Sequence, residues 1–304
     1  MPQLALGLAA ACAASVCFDA AVALQALETR AVPSEYSMRP TLLARLLRRP
    51  RWLAATALAI LGFPFQVLAL SQVPISVVQP ALATGLLLLL VLGVRILGET
   101  VGRREVLATL AIVVGVAGAS LAAPEESSTH AGALGLALVL GPLGALAAAP
   151  FALRRCPAWL MVLGAGCAYA WTSLGAKVLA DELSSGAVLV GVGWLAMIGV
   201  AALLGLLAEM SALQRRAAVA VASTVFVVQV AVPVAVAPLI GGESWAATPL
   251  HGGVLVACLL VVITGAVALM RSPAVSSLIT TAAPEGLDGD GPQAATVDLE
   301  HQRA

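Results

Sequence analysis

The sequence predicts an all-α integral membrane protein with nine transmembrane helices, its N-terminus outside the cell and its C-terminus inside. Three observations predict it: a composition too apolar for water, nine apolar blocks of helix-spanning length, and cationic residues that segregate to one side. Of 304 residues, 61% are hydrophobic and 11% charged, and the mean hydropathy is +1.01. A water-soluble domain carries about 25% charged residues to clothe its surface. Apolar residues here form long blocks, without the alternation or amphipathic period of a soluble fold. Lipid is therefore the expected solvent.

A membrane helix needs roughly 20 mostly apolar residues. Such stretches occur at 4–27, 52–70, 75–94, 106–123, 131–153, 157–176, 187–208, 217–240 and 249–270. The second and third are separated only by SQVP, where Pro74 breaks the run and predicts a tight hairpin. The first has no positive charge before it, and its arginine cluster follows it. That order predicts a retained helix rather than a cleaved leader.

Orientation follows from the rule that cytoplasmic loops carry the Lys and Arg excess. The first loop holds Arg30, Arg39, Arg45, Arg48, Arg49 and Arg51, and every second connection after it adds more. With nine spans, 15 of the 16 cationic residues share one side, and Lys177 alone falls on the other. The opposite loops, PEESSTH, DELSSG and GGESWAAT, are acidic or neutral. Residues 1–271 form the expected membrane domain, and residues 272–304 a disordered cytoplasmic tail without hydrophobic period. The excess of Arg over a single Lys, with no Asn, points to a GC-rich bacterial genome and a multi-pass protein of the cytoplasmic membrane.

The chain resembles itself at an offset of 143 to 155 residues. CAASVCFDAAVALQALE from Cys12 parallels CAYAWTSLGAKVLADEL from Cys167, and ALSQVPISVV from Ala69 parallels ALQRRAAVAV from Ala212. Leu97 to Glu99 then parallels Gly241 to Glu243. The halves are 4–123 and 157–270, with 131–153 as a linker helix, a 4+1+4 plan. Matching helices lie five apart, an odd number, so the copies cross the membrane in opposite directions. Inverted repeats of this kind recur in secondary transporters, whose halves exchange conformations around a midplane site.

The stretch from Arg51 to Glu126 reads RWLAATALAILGFPFQVLALSQVPISVVQPALATGLLLLLVLGVRILGE and then TVGRREVLATLAIVVGVAGASLAAPEE. Its V-Q-P helix start, its apolar run ending in L-x-E and the Gly-rich helix that follows resemble the drug/metabolite transporter superfamily, EamA-like. Within that superfamily it is most similar to the NIPA-type magnesium transporter branch. The resemblance implies nine helices, an outside N-terminus and transport of a small solute by alternating access. It covers about 4–270, more loosely in the second half. One departure bears on substrate. The branch carries a Gly-Glu pair and an Asn in the second helix, where this chain has Gly62, Phe63 and, further on, Gln66. Magnesium favours hard oxygen ligands, preferably charged, and that carboxylate is missing.

Candidate site residues are polar groups inside the apolar blocks. Asp19 is flanked by apolar residues in the first span, where an ionisable group costs roughly 2.5–3.5 kcal/mol on insertion scales. Its expected role is to bind a cation or proton coupled to transport; the plainer reading is a carboxylate paired with a neighbouring helix. Gln66, Gln79 and Gln229, with Gln25, are cavity groups or interhelical glue. Gln79 stands out because Pro80 interrupts the hydrogen-bond ladder beside it, and Pro233 and Pro238 do the same near Gln229. Trp171 and Thr172 are placed to line the same path. Lys177 is read as snorkelling to the outer headgroups, or as a counter-ion to Asp19. Glu99 and Glu243 are read as helix-end residues in water or at the interface, and Trp52, Trp159 and Trp245 as interfacial anchors.

Other functions find little support. The net charge is zero, which gives no electrostatic basis for binding nucleic acid. There is no phosphate loop, so no ATP-driven motor is expected. No H-E-x-x-H or nucleophile elbow suggests an enzyme. The three histidines are scattered, the five cysteines form no C-x-x-C pair, and no cofactor or metal site is expected. Expected partners are a small-molecule or ion substrate and the lipid bilayer, with a homodimer allowed. A membrane scaffold or accessory subunit without transport is the competing class.

Overall fold

A computed structural model describes residues 2–72, 75–122, 133–153, 156–184, 186–241 and 252–271. Among these residues the chain is entirely helical apart from turns. Nine long helices are α1 (Pro2–Arg30), α3 (Pro50–Gln72), α4 (Ile75–Leu97), α5 (Arg103–Ala122), α6 (Ala133–Ala152), α7 (Ala158–Ser184), α8 (Val188–Leu213), α9 (Ala218–Gly241) and α10 (Gly253–Met270). Each falls on one of the nine apolar blocks. A tenth, α2 (Pro40–Leu46), lies in the first connection. The connection PEESSTH, all of GGESWAAT after its first glycine, and the tail 272–304 lie outside the described residues.

Among the described residues, four helices are long and apolar enough to cross a membrane: α1 over Leu4–Arg30, α6 over Gly135–Ala152, α8 and α10. The apolar stretches Ala81–Leu97 of α4 and Ala218–Pro233 of α9 are shorter. The surface is compatible with lipid. On α8, Val188, Leu189, Val192, Leu195, Val200 and Leu203 all face outward, Leu189 at 87% exposure. A soluble monomer rarely exposes so continuous an apolar face.

Proline sits inside α3 (Pro64) and α6 (Pro142 and Pro150). In water an internal proline breaks a helix at about 3 kcal/mol, whereas membrane helices tolerate it because neighbouring groups satisfy the freed backbone.

The helices pack in two similar groups. In the first, α1 lies between α3 and α4, touching α3 most extensively, and α4 packs on α5. In the second, α7 lies between α8 and α9, touching α8 most extensively, and α9 packs on α10. Although two residues separate α3 from α4, they touch little, as do α8 and α9. The intervening helix, rather than a hairpin contact, holds each pair. The groups meet chiefly where α5 crosses α10, and α6 packs against α7.

The α5–α10 crossing is made possible by small residues. A Cβ on Gly115 would stand 3.1 Å from the Cys258 carbonyl oxygen and 3.2 Å from the Val262 nitrogen. One on Gly265 would stand 2.9 Å from the Ala108 carbonyl oxygen. Backbones this close gain van der Waals contact, the main attraction between helices in lipid. On α1 the same logic gives buried Ala11, Ala14, Ala23 and Ala26.

The connection after α1 is ordered by burial. Leu42 and Leu46 of α2 are fully buried, worth about 1.5–3 kcal/mol each. The Met38 N–H donates to Ser211 Oγ at 2.8 Å, tying this segment to α8. Trp52 differs from its expected interfacial place. It is 2% exposed and belongs to the main core with Leu42, Leu46 and Met161. Trp159 is 55% exposed, and Trp245 lies outside the described residues.

Candidate functional site

Asp19 is held at the junction of α1 and α4. Ser15 and Asp19 are one turn apart, so their side chains share a face. Ser15 Oγ lies 3.2 Å from both Asp19 Oδ2 and the Leu82 carbonyl oxygen, and donates toward them. Ser15 is 4% exposed and Asp19 8%. Directly opposite is Gly85 of α4, where any Cβ would overlap both Ser15 Oγ and Asp19 Oδ2. Only glycine lets the α4 backbone approach the carboxylate this closely. Apolar Ala14, Phe18, Phe65, Ala69, Val78 and Leu82 wall the same region. The carboxylate is thus nearly enclosed, with one hydroxyl donor and a sliver of exposure.

The other sequence candidates occupy different places. Gln25 Nε2 donates to Thr56 Oγ1 at 3.1 Å, linking α1 to α3 as interhelical glue. Gln66 on α3 and Gln229 on α9 are each half-buried. Trp171 is buried in a separate apolar cluster with Leu140, Leu143 and Cys167. Its indole N–H donates to the Leu140 carbonyl at 3.1 Å, and its ring lies 5.9 Å from that of Trp194. The Thr172 hydroxyl donates to the Tyr169 carbonyl at 2.7 Å within its own helix. The side chains of Gln79, Lys177 and Pro238, and all of Glu243, lie outside the described residues.

Cavities open at two places among the described residues. One, of about 460 Å³, lies at the arginine-rich end between Leu27, Glu28, Ala31, Arg49, Pro50 and Arg51. The other is room for about one water, beside Glu99, Glu105, Ala217 and Leu269. Neither includes Asp19, Gln66, Trp171, Thr172 or Gln229. Asp19 lies in the first helix group and Trp171 in the second, in an apolar cluster of its own. Among the described residues, no three His, Cys, Asp or Glu side chains converge as a metal cluster.

Three polar groups went unrecognised or misplaced in the sequence. Glu99 is buried at 4% exposure, not in water. Gly98 adopts φ +66, turning the chain after α4 so that the Glu99 N–H donates to the Gly93 carbonyl at 2.9 Å. This is the usual use of glycine just past a helix end. Glu99 Oε1 then accepts from Arg30 Nη2 at 2.6 Å and from the Ala218 N–H at 2.7 Å. The second group is Arg30, whose side chain also reaches the Leu213 and Arg216 carbonyls. The third is Glu209, buried in α8, which accepts the Tyr169 hydroxyl at 2.7 Å. A charged residue just after, or inside, an apolar block was the available signal. The partners, 69 and 40 residues distant, were not.

No family model matches the chain, and no curated protein or solved structure does either.

Proposed function

We propose that the chain is a nine-span secondary transporter of small solutes in a cytoplasmic membrane, of the drug/metabolite transporter type. Its N-terminus is outside, its C-terminus inside, and it works by alternating access, with Asp19 as the coupling cation or proton site. The observation that carries this reading is the repeated packing order. The relation of α1 to α3 and α4, and of α4 to α5, recurs in α7 to α8 and α9, and α9 to α10. The offset is five spanning helices, so equivalent helices run in opposite directions through a bilayer. Two such halves, joined across α5 and α10, can tilt against each other and expose a site between them to alternate sides.

Asp19 suits coupling because its charge is costly to leave bare in lipid. A bound cation or proton offsets that cost. Phe63, at the position where the magnesium branch carries a carboxylate, is 63% exposed on α3. This supports a monovalent cation or proton over magnesium.

The test is flux in proteoliposomes containing only this chain. An imposed inward proton or sodium gradient is expected to drive uptake or release of members of a small-solute panel, with magnesium as a separate arm. Magnesium flux alone would favour the magnesium transporter reading. Silence across the panel, with a membrane protein co-purifying in fixed ratio, would favour the scaffold.

A further inference from the structure

Glu209 is, like Asp19, a carboxyl group buried within a long apolar helix, and it lies in the second helix group. It sits four residues before the end of α8 and is 8% exposed. Tyr169 of α7 donates its hydroxyl to Glu209 Oε2 at 2.7 Å. The two helices touch closely at this level. A Cβ on Gly205 would stand 3.0 Å from Tyr169 Cε1 and 3.1 Å from Ala168 Cβ. The phenol is therefore pinned along α8, with its hydroxyl aimed one turn onward at the carboxyl.

No cation faces this group among the described residues, whose ion pairs are Arg30–Glu99 and Arg49–Glu28. The cations around this end of α8 are engaged elsewhere. Arg30 of α1 holds the Leu213 carbonyl and Glu99, Arg215 holds the Cys156 carbonyl, and Arg216 reaches the Met270 carbonyl. The flanking residues of α8 meet neutral partners. Met210 Sδ accepts the Thr29 hydroxyl, and Ser211 Oγ accepts the Met38 N–H. A buried charge without a counter-ion costs several kcal/mol. A tyrosine hydroxyl can donate to a carboxylate and equally to the carbonyl oxygen of a neutral carboxyl.

We propose that the Glu209–Tyr169 pair is a second proton-binding site, in the opposite half of the bundle from Asp19. The proton resides on Glu209, and Tyr169 holds the carboxyl in place and steadies it when the proton leaves. Each half then carries one exchangeable carboxyl. The inference rests on the bundle being embedded in lipid and does not require transport.

The experiment uses the full chain in lipid bilayers and follows the infrared carbonyl stretch of protonated carboxyl groups across a pH titration, with carbodiimide labelling read by mass spectrometry in parallel. A protonated-carboxyl band that is lost in Glu209→Gln is expected, and it should fade as the pH is raised. Tyr169→Phe removes the donor that favours the charged form. It should move the fading point upward by about 1 pH unit or more, the worth of one hydrogen bond to a charged group. Carbodiimide should modify Glu209 and lose its yield along the same titration. A band unchanged by Glu209→Gln overturns the proposal whatever the reagent does. So does a Tyr169→Phe titration that moves downward or stays in place. A silent flux assay with an intact Glu209 band sinks the transporter reading alone. Flux with no Glu209 band sinks this proposal alone.

Discussion

Arg30→Ala is expected to destabilise the folded chain by about 3 to 5 kcal/mol, the range for removing one partner of a buried ion pair. The asymmetry of burial sets this size. The Glu99 side chain is 2% exposed and the Arg30 side chain 23%, so the carboxylate is the partner that cannot recover solvation when left alone. Its remaining contact on that oxygen is the Ala218 N–H at the start of α9, where the helix dipole offers only partial compensation. Glu99 Oε2 is buried with no hydrogen-bond partner, so it cannot share the load. Arg30 also caps the Leu213 and Arg216 carbonyls, and these are lost together with the ion pair. Partial exposure of the guanidinium screens the pair and places the effect toward the lower end. Thermal unfolding in detergent, or protease sensitivity in membranes, measures it. Arg30→Met combined with Glu99→Met is expected to be less damaging than Arg30→Ala alone, since no bare charge remains. If the two replacements simply add, the side chains do not act as a pair.

Asp19→Asn is expected to leave the chain folded and to reduce solute flux by about ten- to a hundredfold or more, the equivalent of a 1.5–3 kcal/mol charged contact. Asparagine keeps the size of the side chain and an oxygen that can accept from Ser15. It therefore preserves the fit against Gly85, where no further atom is tolerated. What it removes is the charge that calls for a cation or proton. Ser15→Ala should weaken flux less, because the carboxylate survives without one donor. Normal flux in Asp19→Asn at unchanged expression would make Asp19 a structural residue. Loss of the folded protein would instead assign it to packing between α1 and α4.

The helical segments were legible because an apolar block of about 20 residues has few other fates. Where the boundaries moved, local propensity explains it. α7 runs on to Ser184, past the apolar end of its block, because Ala, Leu and Glu in VLADELS continue a helix readily. α2 escaped notice because seven residues beginning at a proline are too few to show a period. Asp19 was legible as a charge flanked by apolar residues, and its setting against Gly85 was not, since the meeting of α1 and α4 depends on tertiary packing. Glu99 read as a solvent-facing helix end, because nothing local reveals an arginine 69 residues earlier or a helix N-terminus 119 residues later. Glu209 falls one residue past the block 187–208 and drew no reading, because nothing local reveals Tyr169 forty residues earlier. Trp52 fits the usual place of an anchor by sequence, and only tertiary packing buries it in the main core.

The most direct test of a nine-span chain with mirrored halves is the side of the membrane on which each chain end lies. Small tags placed before Met1 and after Ala304 can be read by an impermeant label applied to intact cells and again after the membrane is opened. The N-terminal tag should label in intact cells and the C-terminal tag only after opening. Both ends in one compartment would mean an even number of crossings, and the opposed repeats, with the transport mechanism built on them, would be wrong.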